Sequence, residues 1–387
     1  MKRMRTWSSW VSERLLQRKR WKVLAVFLVL ALSGCGREQG KERSQAEAVD
    51  DRLNVVTTIF PYYDFARQIA GDRVNLTLVV PAGMDSHSFE PTPADMRTIQ
   101  QADVLICNGG AMEHWLDQVL DAIDVSKITV VTLMDAVDTV EEELVEGMED
   151  ASHGEHEGYQ AAADETGDDR RHAKNDDDGR HAKSDDNGRH AKNDDRGQHI
   201  EIDDDGHHVE IEYDEHIWTS PVNAMRLTEA ICEALVQRDP VHRTEYQRAA
   251  GEYQSELARI DRELREVSGQ RKRSLIVVGD KFPFRYLAEE YGLDYRAAFS
   301  GCSTDTEPSA RTIAYLIDKV KEQRIPVVYY LELSSTRVAE IIEEETGAQP
   351  LLLHSCHNVT RRELESGITY VDLMERNVEN LRKGLDE

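Results

Sequence analysis

The chain reads as an α/β protein of two lobes, each built on a mainly parallel sheet, joined by one long spanning helix. Three observations predict this. Short apolar runs alternate with segments of helical periodicity, over residues 52–140 and again over 269–387. A strongly acidic stretch, residues 141–215, interrupts the first block before residues 216–240 complete it. One uninterrupted amphipathic segment, residues 241–268, lies between the blocks.

In the first block LNVVTTIF, VNLTLVV, DVLICNG and KITVVTL read as strands, because β-branched residues crowd runs of strand length. Between them YYDFARQIAG, TPADMRTIQQA and EHWLDQVLDAI read as helices, and Pro221 suits the first turn of another. Within the segment 241–268, Tyr246, Ala249, Ala250, Tyr253, Leu257, Ile260, Leu264 and Val267 recur at three and four. That spacing predicts a single helix of roughly 40 Å, long enough to reach both lobes, with a coiled-coil seam as the alternative. In the second block SLIVVG, YRAAFS, VVYYLEL and PLLLH are the strands, alternating with FRYLAEEYG, SARTIAYLIDKVKEQ and STRVAEIIEEETG. Gly71, Gly292 and Gly347 each follow a helical run, where a stop is expected.

Charge is concentrated. The 387 residues carry a net −27, and residues 141–215 hold 27 acidic side chains against 8 basic ones. With no basic stripe to displace counterions, nucleic acid is excluded as a partner, whereas an anionic surface attracts cations. Inside this insertion RHAKNDDDGRHAKSDDNGRHAKNDDRG repeats one nonapeptide three times, placing His172, His181 and His190 in step. Too polar to bury a core, the insertion is expected to be disordered. Its eight histidines between His153 and His208 would raise local metal concentration; repeat slippage is the competing origin.

At the N-terminus, basic residues precede the apolar run VLAVFLVLAL, residues 23–32, too short to span a membrane comfortably. Leu32-Ser33-Gly34-Cys35 resembles the bacterial lipobox. Residues 1–34 are therefore expected to be a lipoprotein signal peptide, Cys35 the acylated residue, and residues 35–51 a flexible tether. Cys107 and Cys232 sit in apolar patterns, as buried thiols do; Cys302 and Cys356 lie in polar turns, open to ligation or to a mutual disulfide.

Ligands of parallel sheets collect at the carboxyl ends of strands. His87 follows the second strand, Asp280 follows SLIVVG, Glu332 lies near the end of VVYYLEL, and His354 and His357 follow PLLL. His216 closes the acidic insertion. Such residue types suit a metal site, but each has an ordinary alternative: a hydrogen-bonded loop histidine, a helix cap at Asp280, an ion-pair partner at Glu332. No nucleophile–base pair or phosphate loop competes for the position.

GMDSHSFEPTPAD, EHIWTSP, the spanning helix and TYVDLMERNVENLRKGL together resemble the metal-binding lipoproteins that serve zinc or manganese ABC importers, a family of TroA-like fold. The resemblance runs from about Leu53 to Leu385. It implies two α/β lobes with metal between them, and a histidine-rich insertion at residues 141–215. Carried over residue by residue, it makes His87 and His216 ligands, with Glu90 supporting His87 from behind. Two positions depart from the pattern. Gly279-Asp280-Lys281-Phe282 stands where a histidine is usual, leaving Asp280 as a candidate, and the usual aspartate falls on His354, with His357 close by.

Three imidazoles imply Zn²⁺ first and Mn²⁺ second. The expected protein is a monomeric extracytoplasmic receptor without catalysis, lipid-anchored to the outer face of the membrane or periplasmic. Its partners would be an ABC permease and that permease's ATPase. A surface adhesin is the alternative, and a zinc hydrolase using Glu90 as base the less favoured one.

Overall fold

Two four-stranded parallel sheets organise the chain, one in each half. The computed structural model describes residues 51–148, 199–202, 208–211, 213–301, 303 and 307–386. The expected signal peptide, Cys35, the RHAK repeats and Cys302 lie outside the described residues.

The first sheet contains β1 (Leu53–Thr57), β2 (Val74–Leu78), β3 (Val104–Cys107) and β4 (Thr129–Thr132) in the order β2-β1-β3-β4. Its crossovers are α1 (Phe60–Ala70), α2 (Pro93–Gln100) and α3 (His114–Ala122). Local chemistry sets their ends. Gly71 closes α1 at a φ of 57°, and Thr92 opens α2 through a capping box with Asp95. After the insertion, α4 (Pro221–Arg238) begins with Ser220 accepting from the Asn223 N–H and Pro221 in the first turn.

The second sheet contains β7 (Leu275–Phe282), β8 (Asp294–Ser300), β9 (Val327–Tyr330) and β10 (Gln349–Leu352) in the order β10-β9-β7-β8. Strand β7 continues past the expected SLIVVG because its register against β8 shifts between Val278 and Lys281. That irregularity carries Gly279 and Asp280 and re-aims the strand end, as bulges do. Helices α6 (Arg285–Tyr291), α7 (Ala310–Gln323) and α8 (Arg337–Thr346) provide the connections.

Helix α5 (Arg243–Gln270) has 28 residues, which gives a length of about 42 Å. It buries Tyr246, Ala250, Tyr253, Leu257, Ile260, Leu264 and Val267 against α1, α4 and the last helix, α10 (Tyr370–Asp386). The resulting core is continuous, from Val55 and Ile106 of the first sheet to Val278 and Tyr329 of the second. Val277, one residue from Val278, faces a separate core with Phe299, Leu316 and Ile342 on the other side of its sheet. Two parallel sheets bridged by one helix confirm the expected fold class.

Two elements depart from the sequence reading. Within the insertion β5 (His199–Ile202) and β6 (His208–Ile211) form an antiparallel hairpin where a chain without structure was expected. HIEI and HVEI alternate with period two around Asp205-Gly206, which is a hairpin signature the surrounding acidity masks. The short helix α9 (Arg361–Ser366) is also additional, started by a capping box between Thr360 and Glu363. The base of the insertion is closed, with Glu141 bridging Tyr213 and the Asp214 N–H donating to Val140 O at 2.9 Å.

Candidate metal centre

Three imidazoles meet at the carboxyl ends of the two sheets. His87 lies on the loop after β2, His216 ends the segment that leads from the insertion to α4, and His357 lies on the loop after β10. Ring centroids are 6.0 Å apart for His87 and His216, 5.9 Å for His87 and His357, and 5.9 Å for His216 and His357. All three line one cavity of about 240 Å³, shared with Asp280, Lys281 and Glu332. Met84 and Leu333, 42% and 52% exposed, stand on its rim.

Each ring is held by its own neighbours. The Asp214 carboxylate accepts from the His216 backbone N–H at 2.8 Å and lies 3.2 Å from the Nδ1 of the same ring. This leaves Nε2 as the ring's free nitrogen. Gly301 packs so closely on His216 that a Cβ there would sit 3.2 Å from Nδ1. Trp218 lies against both His216 and His357, at 5.4 and 5.3 Å, and donates Nε1–H to Ser355 O. The Asp85 carboxylate accepts the His87 backbone N–H, and the Ser86 hydroxyl meets Nε2 of His357.

The loop His354–Asn358 is fixed almost wholly by side chains. Asn377 of α10 brackets the His354 backbone on both sides, at 2.8 and 2.7 Å. Glu332 accepts from the Ser355 N–H and hydroxyl, and the Ser355 hydroxyl accepts the His357 N–H at 3.1 Å. Asn358 reaches across to the first half of the chain, donating to Pro81 O and Met84 O and accepting from the Gly83 N–H.

Two polar atoms in the cavity are left without partners. His87 Nε2 and Asp280 Oδ2 are buried and make no hydrogen bond, although Asp280 Oδ1 accepts from the Lys281 N–H. Orphaned buried groups are costly, and a cation held in the cavity that both residues line would satisfy them. The electrostatics also suit a cation-binding pocket. Burial, then the neighbouring His216, pushes the His87 pKa down to about 4. Burial lowers His357 well below its ordinary value, helped by His216, His87 and Lys281. For His216 burial works against the charge, but the Asp214 carboxylate prevails and raises the pKa.

Among the described residues no group of three or more His, Cys, Asp or Glu side chains is already arranged to hold a metal ion. Tetrahedral zinc with bonds of about 2.0–2.1 Å would hold imidazole centroids about 5.2 Å apart. The three rings stand less than about 1 Å wider than that.

Two sequence expectations need correction. His354 does not join the cluster; its ring is buried behind the loop, accepting from the Cys356 N–H and lying 3.4 Å from Glu332. His357, three residues on and just past the positive φ of 60° at Cys356, lines the cavity instead. Glu90 does not support His87. Its side chain is 82% exposed and 3.9 Å from His114. Cys356 is a free buried thiol, and Cys302 lies outside the described residues. Sequence reasoning also missed Asp214, Ser86, Trp218 and Asn358. Only Asp214 had a signal, two residues ahead of His216.

Comparisons with known proteins fit this geometry. Residues 55–384 match the family described as zinc-uptake complex component A, periplasmic. The chain is 29% identical over 369 residues to the high-affinity zinc uptake system protein ZnuA of Bacillus subtilis, covering 95% of this chain and 98% of that one. To the zinc-binding lipoprotein AdcA of Streptococcus pneumoniae it is 29% identical over 89% of its own length, spanning 58% of AdcA. Among solved structures, the Zn(II)-bound ZnuA-like domain of AdcA superposes with a TM-score of 0.61 at 26% identity. That match covers 87% of this chain and all of the domain, 100%.

Proposed function

Because the chain belongs to the zinc-uptake complex component A family, we propose that it captures Zn²⁺ outside the cytoplasm and delivers it to an ABC permease. The ion is cargo, bound and released unchanged, and the protein is a receptor with no turnover chemistry. One observation carries the reading: His87, His216 and His357 surround a cavity in which His87 Nε2 and Asp280 Oδ2 are buried without partners.

In this reading the three imidazoles supply nitrogen ligands and Asp280 the fourth, anionic one. A nitrogen-rich set of four suits Zn²⁺, whereas Mn²⁺ calls for more oxygen. Lys281 lines the cavity as a charged neighbour that does not ligate. Capture closes the rings by less than about 1 Å, the difference between the observed spacing and that of tetrahedral zinc. The chain acts as a monomer, tethered through a lipid on Cys35, and the repeated histidines of residues 171–197 concentrate zinc near the cavity mouth.

The decisive experiment is calorimetry on a chain lacking residues 149–198, which should still bind one Zn²⁺ tightly. Loss of all tight binding would make the insertion the receptor and leave the histidine cluster without a role. Replacing Cys35 by Ala should release the protein from membranes, since acylation supplies the anchor.

A further inference from the structure

We infer that His354 is a positioning residue for the metal centre: its ring fixes the left-handed turn at Cys356 that presents His357 to the cavity. This rests on the reading of His357 as a zinc ligand. Cys356 has a φ of 60°, one of three non-glycine residues with positive φ among those described. A side chain rarely adopts that conformation, which glycine takes freely. Cys356 is fully buried and bonded to no other cysteine, so nothing covalent holds it there.

What holds it is the ring two residues earlier. The Cys356 N–H donates to His354 Nδ1 at 2.9 Å, an i to i+2 bond of the kind that asparagine and aspartate make in turns. Both ends of that bond are anchored. Asn377 clamps the His354 backbone, and the Ser355 hydroxyl, itself held by Glu332, accepts the His357 N–H. The ring is therefore a built strut, and the next residue after the strained turn is the imidazole in the cavity.

The bond also fixes a tautomer. To accept from Cys356, Nδ1 must be unprotonated, and the proton then sits on Nε2. Glu332 Oε1 lies 3.4 Å from Nδ1, farther than the Cys356 nitrogen, and its carboxylate is already engaged by Ser355. The short contact to Cys356 therefore takes the lone pair.

Zinc affinity of the full chain, measured by chelator competition, tests the inference. His354→Ala should weaken binding about tenfold, the worth of one buried hydrogen bond that holds an unfavourable turn. His354→Asn, whose side-chain oxygen can accept the same N–H, should stay within about threefold of the parent. Adding Cys356→Gly to His354→Ala should recover most of the loss, since glycine needs no strut at that φ. If His354→Asn binds as poorly as His354→Ala, or His354→Ala binds like the parent, His354 does not position the turn. Nitrogen-resolved NMR of the metal-free protein adds a zinc-independent readout: His354 should carry its proton on Nε2, and a proton on Nδ1 directed at Glu332 would overturn the proposal. Full zinc affinity in His357→Ala would instead remove the metal reading beneath it while leaving the tautomer result standing, so the two failures are distinguishable.

Discussion

His216 and His357 face each other with ring centroids 5.9 Å apart and planes at 84°, although 141 positions separate them and they belong to different halves of the fold. Neither sheet carries the centre alone. His87 completes the triangle from the first half, so each ring should be indispensable. His87→Ala, His216→Ala and His357→Ala should each weaken zinc binding by at least about 100-fold, beyond the 10–100-fold typical of groups standing behind ligands. Lys281→Ala should not weaken it, because an ammonium repels the incoming cation. Chelator competition on the four variants checks this, and a full-strength His357→Ala would contradict it.

Asp214 should matter more than its position in an acidic segment suggests. It is buried, accepts the His216 backbone N–H, and holds the ring through Nδ1. Asp214→Asn keeps an acceptor but removes the charge that makes His216 a better donor. Zinc affinity should fall about 10–100-fold with the fold intact, as judged by unchanged circular dichroism.

The fold was legible in the sequence because its signals are local. Alternating strands and helices, the spacing of Tyr246 through Val267, and the stops at Gly71 and Gly347 are each readable in a short window. The site was partly legible. That His87 and His216 belong to one cluster could be expected from motif and strand position. The choice of His357 over His354 could not, because it turns on the φ of Cys356, and cysteine does not advertise a left-handed turn. Glu90 was misplaced for a similar reason: proximity in a motif says nothing about which way a loop side chain points.

A separate prediction concerns stability. Asp64 is fully buried on α1 and accepts from Arg67 and Gln68 of its own helix, the Tyr370 N–H of α10 and the Tyr253 hydroxyl of α5. It therefore ties together three helices. Asp64→Ala strands several buried donors and should cost about 3–5 kcal/mol in urea unfolding. Zinc affinity of the folded protein should change by less than about threefold, since Asp64 does not itself line the cavity; a larger loss would mean the helix junction sets the geometry of the site.

Metal preference should follow the ring that lines the cavity. His357→Asp exchanges a nitrogen ligand for an anionic oxygen and should raise Mn²⁺ affinity relative to Zn²⁺. His354→Asp should leave the ratio unchanged, because His354 does not line the cavity. Paired competition titrations decide between them, and the opposite pattern would return His354 to the ligand set.

The pH dependence of binding should reveal which ring a proton contests. A histidine must be neutral at its ligating nitrogen, so protons compete with zinc only where that histidine's pKa lies at or above the working pH. His87 is depressed to about 4, by burial and then by His216, and His357 is lowered well below its ordinary value by burial and then by His216, His87 and Lys281. Both are neutral at pH 7 and stay so well into the acid range. His216 has the opposite sign, its pKa raised by Asp214 against the effect of burial. Lowering pH should therefore charge His216 first, and zinc affinity should fall about tenfold per pH unit, one proton per ion, down to roughly pH 5. As the pH falls through about 4, His87 begins to protonate and the slope should steepen. Asp214→Asn removes the carboxylate that raises His216, so the start of the decline should move to lower pH even though the affinity at neutral pH is weaker. Competition titrations across pH 8 to 4 measure both quantities. A slope of two or three protons between pH 7 and 5 would show that all three rings titrate together and that burial does not hold His87 and His357 neutral.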